Sequence, residues 1–120
     1  MPEVKANTKR KLVSELSGTE LDYWVGVAEG INLKFIFNAW HYKKDGCIGW
    51  DEWSPRKRPE QAYPIIERDK IGFRFHEKPG CWFASIAGYP ATCCEGETAL
   101  IAAMCCKVAS VYGETVECVI

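Results

Sequence analysis

The chain has no apolar run near the ~20 residues that a membrane-spanning helix needs. Its longest, within residues 96–113, is interrupted by Lys107. Net charge is only −1 over 120 residues, so no global field draws the protein to nucleic acid or to a membrane surface. Histidine is scarce (His41 and His76), and the cysteines include no C-x-x-C pair, so no metal and no cofactor are expected. No Ser/His/Asp order, phosphate-cradling glycine loop or distinctive carboxylate pair is present, and no catalytic residue is assigned. The N-terminal stretch MPEVKANTKRKL lacks the apolar centre of a secretory signal. A cytosolic location with reduced thiols is therefore expected, and an odd count of seven cysteines fits it. There is no internal repeat and no low-complexity tract.

What is present is pattern. Ser17-Gly18-Thr19-Glu20 reads as a capping box, with Leu16 and Leu21 at hydrophobic-staple positions. The helix it opens is expected to run to Glu29 and stop at Gly30, with Leu21, Trp24, Val25 and Ala28 as its inner stripe. A second helix is expected from Thr98 to Tyr112, capped by Thr98 and stopped by Gly113. Period-two alternation marks a strand at 32–40, PIIERDKIGFRFHE (64–77) is expected to bring the chain back into the sheet with Ile71, Phe73 and Phe75 alternating, and CWFASIA at 81–87 reads as a returning strand. Asp45-Gly46 is expected to fold 40–44 against 47–50. Lys78-Pro79-Gly80 reads as a type II turn. KRKLVSEL (9–16) and ETVECVI read as short strands, while 51–63 and 88–96 read as loops. The order β-α-β-β-loop-β-β-α-β predicts a single α+β domain over residues 1–120, loose at 1–8. Two helices are expected to pack on one face of an antiparallel sheet.

On a helical wheel at about 100° per residue, Leu100, Met104, Val108 and Val111 fall together with Cys105, and Cys106 falls opposite. The two thiols diverge and cannot grip one ion. Cys105 is expected to be a small core hydrophobe and Cys106 a partly exposed thiol. Cys93 and Cys94 lie in the stretch read as a loop, and no role is assigned to them.

Five tryptophans are many for this length, and three of them, Trp40, Trp50 and Trp53, cluster around the Asp45-Gly46 turn and the start of the loop that carries Arg56-Lys57-Arg58. They form either a hydrophobic mini-cluster beneath a loop or a groove suited to a nucleotide, a nucleic-acid strand or a protein hot spot. Trp82 alternates with Phe83, so one of the two faces solvent or a pocket. Glu67-Arg68-Asp69-Lys70 is either an exposed turn with local ion pairs or the flank of a ligand site at a strand entrance. The candidate ligand-binding residues are Trp40, Trp50, Trp53, Arg56, Arg58, Glu67, Arg68 and Trp82.

Three segments, SELSGTELDYWVGVAEG (14–30), PIIERDKIG (64–72) and ETALIAAMCCKVASVYGETVE (97–117), cover about two-fifths of the chain. Together they resemble the NinX-like family of small phage and prophage proteins. Cys106 coincides with that family's usual cysteine. Cys105 stands where an arginine is usual, Lys107 where an aromatic is, and Ala99 where proline often opens the helix. The resemblance implies a phage origin, life in a bacterial cytoplasm and no assigned activity. It also implies company among accessory genes that modulate the host or counter its defences. The leading expectation is a non-catalytic binding protein that sequesters a nucleotide-like small molecule or occupies a host target. The alternative is a protein-interaction or structural module acting as a homodimer or higher homo-oligomer. A third reading is a small hydrolase using Glu67 or His76. Nucleic acid and membrane are not expected partners.

Overall fold

The computed structural model describes residues 8–43, 46, 48–86 and 89–119. Strand β1 (Thr8–Leu12) leads through a short 3₁₀ turn (Val13–Glu15) into helix α1 (Gly18–Ala28). Strands β2 (Lys34–Ile36), β3 (Ala39–Tyr42) and β4 (Asp51–Glu52) precede helix α2 (Pro59–Asp69). Strands β5 (Ile71–His76), β6 (Cys81–Ile86) and β7 (Tyr89–Gly96) precede helix α3 (Ala99–Tyr112) and strand β8 (Thr115–Val119). The fold is α+β, as the sequence predicts. Its strands make three small antiparallel sheets, β1-β8, β2-β3-β4 and β5-β6-β7, instead of one. The loose start expected at 1–8 lies outside the described residues except for Thr8, which opens β1.

Helix α3 carries the core. The Thr98 hydroxyl accepts from the Ile101 N–H at 3.1 Å, and Gly113 ends the helix at φ +85°. Residues Ala102 to Val108 are buried without a break, so no side of this stretch meets water. It packs against α1, α2 and one face of β5-β6-β7. Cys106 is therefore fully buried instead of partly exposed; the wheel shows a second face, but not that a neighbour covers it. Burial, and then the adjacent Cys106, push the Cys105 thiol up to about 11, so it is an inert core group. Cys93 and Cys94 lie on β7, not in a loop.

Helix α1 ends as expected, with Gly30 at φ +73°. Leu16 and Leu21 are both buried, as the staple requires. The capping box does not close, because the Ser17 side chain makes no cap bond and Glu20 accepts from Lys11 Nζ at 2.6 Å.

The expected loop 88–96 is strand β7, and the expected loop 51–63 is loop only at 53–58, because helix α2 takes its end together with 64–69, the stretch expected to lead back into the sheet. Helix α2 buries Ala62, Ile65 and Ile66 at helical spacing, and this burial outweighs the hydrogen bond that Pro64 removes. Strand β7 is the edge of its sheet, where Pro90 needs no ladder partner. At its end a Cβ on Gly96 would lie 2.6 Å from the Ala102 nitrogen, so only glycine lets β7 approach α3 this closely.

The β2–β3 turn is Phe37-Asn38, both at positive φ (51° and 60°), the requirement of a primed two-residue hairpin. The returning strand opposite β3 is 51–52, not 47–50. The Asp45-Gly46 turn expected there falls on Asp45, outside the described residues. Between β5 and β6, residues 77–80 make a four-residue connection in place of the expected type II turn: the Gly80 N–H donates to the His76 carbonyl at 2.9 Å, Gly80 has φ +89°, and the Lys78–Pro79 bond is cis.

Candidate functional site

The eight candidate residues do not converge. Trp53 and Arg56 fasten the loop after β4 onto α1. Trp53 is buried, donates from Nε1 to the Asp22 carbonyl at 2.9 Å, and sets its ring edge-on to Tyr42. Arg56 donates from Nε to Asp22 Oδ2 at 2.9 Å and from its backbone N–H to Oδ1 at 3.3 Å. Asp22 is 1% exposed; burial pushes its carboxyl up to about 6, and Arg56 offsets only part of that cost. Arg58 faces Ser54, Glu52 and Glu60, and Lys57 faces Glu52. The Ser54 hydroxyl and Lys57 hold the Glu52 carboxyl below its ordinary range. The mini-cluster beneath a loop is the arrangement found for Trp53.

Arg68 and its neighbours are a clamp. Arg68 donates to Glu29 at 3.0 Å and to Asp69 at 2.9 Å. Lys107, buried within α3, reaches Asp69 at 2.6 Å and Glu29 at 3.3 Å. Four charges thereby join the C-terminal ends of α1 and α2 to α3. The Arg68 hydrogen bond, more than that of Lys107, holds Asp69 down at about 2. Burial pulls Glu29 upward, but the bonds from Arg68 and Lys107 outweigh it. Glu67 is exposed.

Trp50, Trp53 and Arg58 line a cavity of about 590 Å³ with Glu29, Asp51, Glu52 and Glu60. One guanidinium against four carboxylates makes this wall unsuited to a phosphate. Trp50 is half-exposed, with the Lys34 ammonium 5.6 Å from its ring centre.

Trp40 belongs to a different surface. A groove of about 510 Å³ is lined by Thr19, Glu20, Tyr23, Trp24, Phe35, Trp40, Glu117 and Cys118. Five rings touch in series along it, Tyr112–Trp24–Tyr23–Trp40–Phe35, with centroids 4.7–5.4 Å apart. Its two carboxylates are engaged, Glu20 by Lys11 and Glu117 by Arg10. Of these five rings only Trp40 is among the candidates read from the sequence; Trp24 belongs to the expected inner stripe of α1, and Tyr23, Phe35 and Tyr112 are absent from the set. Tyr23 is adjacent to a stripe residue and Phe35 alternates on a strand, so neither stood out.

Trp82 faces inward, edge-on to Phe73 and Phe75. Its neighbour Phe83 is the outward residue. With Gly72, Arg74, His76 and Ser85 it lines a groove of about 430 Å³ on the sheet face turned away from α3. Among the described residues no group of three His, Cys, Asp or Glu side chains is placed to hold a metal. None of the described helices is long and apolar enough to cross a membrane.

Fold and surfaces together define a small α+β protein built on one buried helix, with an aromatic groove beside α1, an acidic cavity beside Trp50 and a ring-and-cation groove on the outer face of β5 and β6. The family described as Bacteriophage P22, NinX matches residues 12–111, and the chain belongs to that family. The match spans 31–63, which the three quoted segments leave out, and stops before β8. No curated protein matches the chain.

Proposed function

We propose that this is a non-catalytic phage accessory protein that acts in the host cytoplasm by occupying a host protein, with the Trp24–Trp40 groove as its grip. The observation that carries this is the unbroken series of five rings, open to solvent at Phe35 and Tyr112. Clustered tryptophan and tyrosine supply most of the binding energy at protein interfaces. The groove offers no unpaired cation for a phosphate, and its two carboxylates each face a cation. Two residues beyond Phe35, Phe37 sits at φ +51° and is almost fully exposed. A bulky residue held there costs on the order of 1–3 kcal/mol. Among the described residues almost nothing covers that ring, so a partner's surface is its natural use. Stoichiometric capture needs affinity and no turnover, which fits a surface without a nucleophile, base and orienter.

The test is affinity capture from host lysate with the native chain, Phe35→Ala and Trp40→Ala, each weighed by sedimentation. One discrete host protein should be retained by the native chain and lost at least tenfold by Phe35→Ala, whose ring is half-exposed. Equal retention by both variants would overturn the proposal. A native dimer made monomeric by Phe35→Ala, with no host protein held, would establish the homodimer instead.

A further inference from the structure

We infer that the outer face of β5 and β6 is a second binding site, for a small molecule bearing a planar ring and an anionic group, of which a nucleoside monophosphate is the probe. The register builds it. Gly72 lies opposite Ser85, Arg74 opposite Phe83 and His76 opposite Cys81, and directly opposed residues share a face. The other face, with Ile71 and Ala84 buried, packs on α3. Arg10, Arg56, Arg58 and Arg68 each face a carboxylate. Among the described residues Arg74 faces none. Its guanidinium is permanently charged and forked, and suits a phosphate or carboxylate taken two-handed.

The ring contact is equally specific. His76 meets the Phe83 ring at 4.5 Å between centroids, fixing one flank of that ring. Phe83 is only partly buried, so the rest of it is open to stacking. The Ser85 hydroxyl and the His76 imidazole add polar partners. Gly72 keeps the floor clear: a Cβ there would meet nothing nearer than the Ser85 carbonyl at 3.9 Å. Among the described residues the carboxylate opposite Phe83 is Glu95, which accepts from the Cys81 thiol at 3.7 Å. It lies two strands from Arg74, about 10 Å at ordinary strand spacing. The anion therefore belongs at Arg74, away from Glu95. At about 430 Å³ the groove holds one small ligand. It lacks the row of unpaired cations that a nucleic-acid strand needs.

The test is a ¹⁵N NMR titration of the full chain with adenosine 5′-monophosphate, adenosine, inorganic phosphate and a short adenine oligonucleotide. It is repeated on Arg74→Ala and on Gly72→Val, which fills the groove at a position whose backbone accepts any residue. The monophosphate should shift saturably the amides of β5 and β6. Adenosine alone and phosphate alone should each bind at least tenfold more weakly. Arg74→Ala should lose at least tenfold, and Gly72→Val should abolish binding with its spectrum still folded. The inference is overturned if no saturable shift occurs at millimolar ligand, if Arg74→Ala or Gly72→Val binds like the native chain, or if phosphate matches the monophosphate. It is also overturned if the oligonucleotide binds more tightly than the mononucleotide, which would make the face a strand-binding surface. Arg74→Ala should leave host-protein capture intact, so this site and the aromatic groove fail independently.

Discussion

In the loop at 53–58, Asp22 engages Arg56 at both its backbone and its guanidinium, and Trp53 is closed over α1. On the outer face of β5 and β6, Arg74 faces no carboxylate among the described residues, and Phe83 is only partly buried. Both regions set an aromatic ring beside an arginine, yet they serve opposite ends. A cation already matched to a buried carboxylate has given its charge to the fold, and binding a ligand there would first strand Asp22. An arginine without a partner still has its charge to offer. Proximity of ring and cation in sequence therefore does not locate a site; the state of pairing does.

The largest test of this contrast is Trp53→Ala. Removing a buried ring together with its hydrogen bond to Asp22 should cost about 3–5 kcal/mol in urea unfolding. A mild loss of stability with a loss of ligand affinity would instead make the loop a site. Next is the clamp. Lys107→Ala should destabilise by about 2 kcal/mol, since it empties a buried position and takes one cation from Asp69 and Glu29. Lys107→Met, which keeps the packing while Arg68 still holds both carboxylates, should cost about half as much. Equal losses would mean that the charge, not the stem, matters.

The pH dependence is the subtler test. Between about 4 and 6 the folded chain keeps on Asp22 a proton that the unfolded chain has released. Stability must then fall as pH rises through that window, by on the order of 2–3 kcal/mol at most. Asp69 works in the other direction: its contribution is present above the ordinary carboxylate range and is lost as pH falls toward about 2. Stability should therefore peak near pH 4, and Asp22→Asn should flatten the decline above that peak. Urea midpoints at pH 4.5 and 7 decide it; an equal decline in native chain and variant would remove Asp22 as the cause.

Much of this architecture was written locally. Thr98 and Gly113 bracket α3, Gly30 ends α1, and alternation marks β5 and β6. What escaped depends on neighbours remote in sequence. Pro64 argues against a helix until Ala62, Ile65 and Ile66 find α3 to cover them. Pro90 argues against a strand until β7 is known to be an edge. For the sites the limit was the same. Trp82 and Phe83 had to face opposite ways, but only the position of α3 decides which is outside. Arg56 looks available until Asp22, 34 residues away, is placed beside it. Cys106 looks exposed on a wheel that shows a single helix.

The most direct measurement is a paired one on Arg56→Ala and Arg74→Ala: the urea midpoint and the affinity for adenosine 5′-monophosphate of each. Arg56→Ala should lose about 1–2 kcal/mol of stability, because it leaves a buried carboxyl without its partner, and should keep its affinity. Arg74→Ala should stay within about 0.5 kcal/mol of the native chain and lose at least tenfold in affinity. The crossed result, a stable Arg56→Ala that no longer binds beside a destabilised Arg74→Ala that does, would contradict the account.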